Sequence, residues 1–290
     1  MAELDSHYFN TKDNVRIHYQ CNFDIKKTPQ EIIVFNYGLV CSDLHWKYQI
    51  EHFKKNHPIL IYNYRGHFQS TGRKKLETLT IQQFSDDLFE IIKFIKAKKV
   101  ILIGHSMGVN VCLQFCIDHP ELVKKQVLIS GAIISAREIM LDSNLMDIII
   151  PHAKNFKSKY PKLFKAFWKS TPFMLPVRKM IHFGGFNYER VNDEFVQMYL
   201  SRVAKLGPDV FFKLFDSMSD HGVSNEFPKI KTDTFIISGV KDKVIPHVYQ
   251  EYMANNMPNA TLYSLPEGSH VPQVDFPKAI NKKIEYFLKR

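Results

Sequence analysis

The sequence predicts an α/β fold: a mainly parallel sheet of eight strands, helices on both faces, and one helical insertion. Three observations carry that expectation. Short, continuous apolar runs with β-branched residues recur along the 290-residue chain, as strands buried on both faces do. Helical patterns alternate with them, which is what parallel crossovers require. Between residues 135 and 228 the alternation stops, and helical patterns follow one another without a strand.

Taken in order, residues 6–10 and 15–22 read as a hairpin turning through Thr11-Lys12-Asp13-Asn14. Residues 31–35 and 59–63 are buried strands. A helix begins after Thr80, which with Gln83 forms a capping box. Ile81, Phe84, Leu88, Ile92 and Ile95 give that helix one apolar face. The strand at 100–103 leads to a helix at 109–118, and the strand at 127–129 precedes the insertion. There, residues 145–150, 163–168, 174–183 and 196–215 are helical patterns rich in Phe, Met, Leu and Ile. Afterwards come a strand at 234–238, a helix at 247–255, a strand at 261–265 and a closing helix at 279–288.

A hydrophobic content of 45% supports one large core, and no linker or repeat divides the chain. The expected organisation is a core of residues 1–134 and 229–290, with 135–228 inserted as a cap or lid. The net charge is +10, but the lysines read as scattered, from Lys12 through Lys74-Lys75, Lys98-Lys99 and Lys124-Lys125 to Lys282-Lys283. Without a basic stripe interleaved with aromatics the reading is a solvated lysine surface. That excludes a nucleic-acid partner and leaves at most weak contact with a membrane surface. The amino terminus has no secretory pattern, and no run approaches the length of a membrane span. Cys21, Cys41, Cys112 and Cys116 lack metal-type spacing and read as free thiols, which suits the cytoplasm. His45, His52 and His57 complete no metal-site pattern. Nothing in the pattern sets an oligomeric state.

Gly104-His105-Ser106-Met107-Gly108 stands between a strand and a helix, the context in which G-x-S-x-G forms a nucleophile elbow. A sharp turn there leaves no room for bulk at 104 and 108 and directs the Ser106 hydroxyl out of the sheet. Serine needs a base, and the base needs an orienting acid. In this context the chain order is serine, acid, histidine. Asp242 follows the strand at 234–238, and His270 follows the strand at 261–265, so Ser106, Asp242 and His270 form a candidate triad. The strand at 127–129 offers no carboxylate before Glu138. Asp275 suits a structural role, and His105 packs and hydrogen-bonds inside the elbow. His67 and His221 read as surface or structural residues.

With these motifs the chain resembles the α/β-hydrolase superfamily, in its cap-bearing serine esterase/lipase form, similar to monoacylglycerol lipases. Gly239, Asp242 and Pro246 match that family's acid loop, and His270 with Asp275-Phe276-Pro277 its histidine loop. Asn36-Tyr37-Gly38-Leu39 stands where the family carries His-Gly-x, with Tyr37 replacing the histidine and Gly38 retained. The resemblance implies an oxyanion hole made by the backbone N–H groups of Leu39 and Met107. Residues 63–70 stand where relatives show Asp-x-Arg-Gly-x-Gly-x-Ser, with Asn63 and Phe68 as departures and Arg65 read as structural. The implied activity is hydrolysis of a small carboxylic ester, with no metal or cofactor. A serine nucleophile argues against the aspartate-using dehalogenases and epoxide hydrolases of similar fold. Phe164, Phe167, Trp168, Phe173, Phe183 and Phe186 in the insertion favour an apolar acyl group. The expected pocket residues are Tyr37, Phe183, Phe186, Val244 and Val271. Thioester or carbon–carbon bond hydrolysis on the same triad, or a small-molecule receptor, stay open as alternatives.

Overall fold

The structure, a computed structural model, describes residues 4–131 and 144–290, and only the backbone of 144–149. Eight strands form one sheet among these residues: β1 (Asp5–Asn10), β2 (Arg16–Cys21), β3 (Glu31–Asn36), β4 (Ile59–Tyr62), β5 (Lys99–His105), β6 (Val123–Ile129), β7 (Asp233–Gly239) and β8 (Ala260–Leu265). Their order across the sheet is β1-β2-β4-β3-β5-β6-β7-β8. β2 pairs antiparallel with β1 and β4, while all pairs from β4 to β8 are parallel. Ile59, Leu60, Ile61 and Tyr62 of β4 are buried in succession, as are residues 100–105 of β5. Consecutive burial means cover on both faces, which is why these strands read as unbroken apolar runs.

α2 (Ile81–Ile95) packs on α3 (Met107–Asp118), and α1 (Lys47–Phe53) packs on the last helix, α11 (Pro277–Lys289). Thr80 caps α2 by accepting the Gln83 N–H at 3.1 Å. The expected box is half formed, because the Gln83 side chain turns toward Asp87. The insertion contributes α4 (Asn144–Lys159), α5 (Pro161–Ser170), α6 (Leu175–Gly185), α7 (Asp193–Leu206) and α8 (Pro208–Asp220). The pattern at 196–215 is therefore two helices. Gly207, at φ 86°, ends α7, and Pro208 opens α8. α9 (His247–Asn256) and α10 (Pro272–Asp275) follow β7 and β8. The expected boundary at 134/135 and Glu138 lie outside the described residues.

Candidate active site

β5 delivers Ser106 to the carboxyl edge of the sheet. There Ser106 takes φ 53° and ψ −124°, a region L-residues rarely occupy and one that costs about 1–3 kcal/mol. The strain is held from outside, since the Ser106 N–H donates to the Ile129 carbonyl of β6 at 3.0 Å. α3 then starts at Met107, two residues before the apolar periodicity begins. A methyl group on Gly104 would meet the Gly108 carbonyl oxygen at 2.6 Å, and one on Gly108 would collide with the Asn36 carbonyl. The spacing of the two glycines is thus dictated by the close approach of α3 to β3 and β5.

The loops after β7 and β8 bring the other two residues in. His270 Nε2 lies 3.1 Å from Ser106 Oγ, and His270 Nδ1 lies 2.9 Å from Asp242 Oδ2. A carboxylate accepts only, so Nδ1 carries the proton and Nε2 is left to accept from the serine hydroxyl. The second oxygen of Asp242 accepts the N–H groups of Val244 and Ile245, both at 2.8 Å, which fixes the plane of the carboxylate. Asp275 accepts the Ser269 N–H at 2.7 Å and the Asn187 N–H at 3.2 Å, fastening the loop that carries His270. His105 adds a further tie: its Nε2 donates to the His270 carbonyl at 2.8 Å.

The loop after β3 closes on the serine from the opposite side. A methyl group on Gly38 would sit 2.9 Å from Ser106 Cβ. The turn is pulled tight by the Cys41 N–H donating to Gly38 O at 3.0 Å, and it leaves the β-branched Val40 at φ 48°. Among the described residues the N–H groups of Leu39 and Met107 have no acceptor. Tyr37, expected at the pocket, lies fully buried instead. Its hydroxyl accepts the Tyr64 N–H, the Tyr64 hydroxyl donates to Tyr37 O, both at 3.0 Å, and burial holds its phenol well above the usual range. It braces the loop from behind.

Sheet order, elbow and loops meet in one known architecture. A family model described as the alpha/beta hydrolase fold matches residues 31–277. The chain belongs to the alpha/beta hydrolase family. RutD of Caulobacter sp. (strain K31), whose name assigns it carbamate hydrolysis, is 21% identical over 265 residues, covering 90% of this chain and 91% of RutD. Among solved structures, the esterase EaEST of Exiguobacterium antarcticum matches with a TM-score of 0.79 at 19% identity, covering 98% of this chain and 99% of its own. A bromoperoxidase of Bacillus anthracis matches at 0.78, also at 19% identity, over 99% of this chain and all of its own. At such identities the structures share the fold, and one fold carries differently named chemistries.

Within this hydrolase, Phe186 and Val271 come together next to His270. They join Val191, Phe195, Val196, Leu200 and Val274 in an apolar cluster between the insertion and the His270 loop. Phe183 and Val244 lie outside that cluster and are exposed, Phe183 lying under the Lys243 ammonium at 3.4 Å. Phe164 and Trp168 turn into the insertion's own core, packing with Phe211 and Phe212, while Phe167 and Phe173 face solvent. Of the six aromatics expected to favour an acyl group, Phe186 alone is in that cluster. Among the described residues no group of three His, Cys, Asp or Glu side chains could hold a metal ion.

The departures at 63–70 find local reasons. Asn63 donates to Gln69 Oε1 at 2.8 Å and lies 3.0 Å from His18 Nδ1. Phe68 takes φ 44°, a left-handed conformation that favours glycine. Arg65 is fully buried, with two bonds to Asp87 and two to Asp13. Burial pushes Asp87 up to about 6 against the pull of Arg65, whose hydrogen bonds hold the exposed Asp13 below the usual range.

His45 is what sequence reading missed. It is buried, stacked 6.0 Å from His105 and edge-on to Tyr199 at 5.2 Å. Burial, then the neighbouring His270, brings it down to about 3, so it stays neutral. Its Nε2 lies 3.7 Å from Cys41 Sγ, and burial holds that thiol up at about 12, so it stays protonated. No local signal distinguishes His45, because the rings it packs against, His105 and Tyr199, come from segments 60 and 154 residues away.

Proposed function

We propose that this hydrolase cleaves carboxylic esters through an acyl-enzyme on Ser106, preferring apolar acyl groups. The Ser106–His270–Asp242 geometry carries the reading. His270 takes the serine proton as Oγ attacks the carbonyl carbon, while Asp242 orients the imidazole and stabilises its charged form. The N–H groups of Leu39 and Met107, lacking other acceptors, receive the oxyanion. His270 returns its proton to the departing alcohol, then draws one from a water molecule whose oxygen releases the acid. The apolar cluster around Phe186 and Val271 supports the acyl preference, and the helices from residue 144 onward act as its cap. Four buried free thiols suit a reducing compartment such as the cytoplasm.

A fluorophosphonate probe is expected to label the protein at Ser106 and leave Ser106→Ala unlabelled. Failure to label intact protein would remove the enzyme reading. With labelling in hand, p-nitrophenyl esters of increasing chain length should show higher kcat/KM for octanoate than for acetate, and the reverse order would refute the acyl preference. The whole-length similarity to RutD favours a second reading, carbamate hydrolysis at the same serine. A carbamate substrate turned over faster than every ester in the series would establish it.

A further inference from the structure

The basic residues of this chain are not evenly spread. Between residues 148 and 188 stand eight lysines and arginines and no acidic residue. Three find carboxylates: Lys154 with Asp216, Lys157 with Asp209, and Arg178 with Asp193. Lys159, Lys162, Lys165, Lys169 and Lys179 are exposed and have no carboxylate partner among the described residues.

Large apolar side chains share this exposed stretch. Leu163 and Phe167, four residues apart on α5, are 59% and 46% exposed, while Phe164 between them turns into the core. Phe173, in the turn before α6, is 74% exposed, and Met180 on α6 is 64% exposed. A merely solvated lysine surface has no use for these side chains. A protein partner fits poorly too, since the cores of protein interfaces are depleted in lysine. An anionic lipid surface accepts both kinds of group: phosphates meet the ammonium groups, and aromatic and aliphatic side chains enter the headgroup–acyl boundary. α6 also meets the loop that carries Asp242, because Lys243 donates to the Phe183 carbonyl at 3.3 Å.

We propose that this face of the insertion, built on α5, α6 and the turn between them, docks on anionic bilayers. The inference rests on the surface alone and stands or falls apart from ester hydrolysis. Its test is co-sedimentation of the Ser106→Ala protein with vesicles of phosphatidylcholine, alone or mixed with phosphatidylserine. Each lysine near such a surface contributes about fivefold in partitioning at low salt. Binding should therefore favour the anionic vesicles by about tenfold or more and weaken as salt is added. Joint reversal of Lys162→Glu, Lys165→Glu and Lys169→Glu should abolish that preference, and Phe167→Ser with Phe173→Ser should reduce binding several-fold. Melting curves check that these variants fold, with Lys165→Glu and Phe173→Ser singly as milder replacements. Equal binding to both vesicle types, or binding that survives charge reversal, overturns the proposal. So does loss on lysine reversal with no effect of the aromatic changes, which marks plain adsorption of a cation. A dimer that covers this face and dissociates on Phe173→Ser, seen by sedimentation velocity, overturns it as well.

Discussion

Where β5 turns into α3, Gly104 and Gly108 have no room for a methyl group; at the end of α6, Gly184 and Gly185 have nothing within 4 Å of that position. The contrast extends beyond glycine. Around the elbow, His45, His67 and His105 are buried and held neutral, and Arg65 is sealed with two carboxylates. In the insertion, aromatics and lysines share the surface. The sheet side is specified by contact distances, so small changes there are felt by many neighbours. The insertion is specified by which helical faces it keeps, and its outer face is free to be chosen for what it meets.

The largest difference should appear on acidification. Burial lowers His45 to about 3, His67 and His221 to about 4, and His105 well below its usual value. Above about 6.5 these groups are neutral in both states and stability is independent of them. As pH falls below that value the unfolded chain binds protons that the folded one refuses. Each histidine then removes about 1.4 kcal/mol per pH unit until its folded value is reached. Urea midpoints measured from pH 7.5 to 5 should fall steeply, and His67→Gln should make the fall shallower. A flat profile would break the comparison.

Next in size is Gly108→Ala, which drives a methyl group into the Asn36 carbonyl where neither backbone can yield. It should cost about 3 kcal/mol or more, read as a shift in urea midpoint, and abolish fluorophosphonate labelling of Ser106. The smallest effect belongs to Gly184→Ala, in the last turn of α6 with open space around it. Here the expected change is a gain of about 0.5 kcal/mol from a less flexible unfolded chain, with labelling unaltered. A loss above 1 kcal/mol would show that the insertion, too, is tightly specified.

Elements that depend on neighbours in sequence were legible. Apolar runs marked the strands to within a few residues, though β6 begins at Val123, four residues before its apolar end, because Lys124 and Lys125 interrupt the run. Thr80 marked the start of α2. The pattern at 196–215 misled because α7 and α8 are apolar on both sides of a break that only Gly207-Pro208 signals. The aromatics of the insertion misled in another way: spacing shows that Phe164 and Phe167 point to different sides, but not which side faces solvent.

The sequence by itself determined which residues end each strand: Gly38 and Leu39 after β3, Ser106 after β5, Asp242 after β7 and His270 after β8. A parallel sheet sends all of these to one edge, so backbone hydrogen bonding and apolar burial already bring them into one neighbourhood. Tertiary structure decided the 3.1 Å and 2.9 Å contacts among the three side chains, the bond from His105 to the loop of His270, and the burial of His45 and Tyr37. Those depend on loops 27 to 165 residues apart packing against one another, and pairings across such distances leave no periodicity in the chain to read.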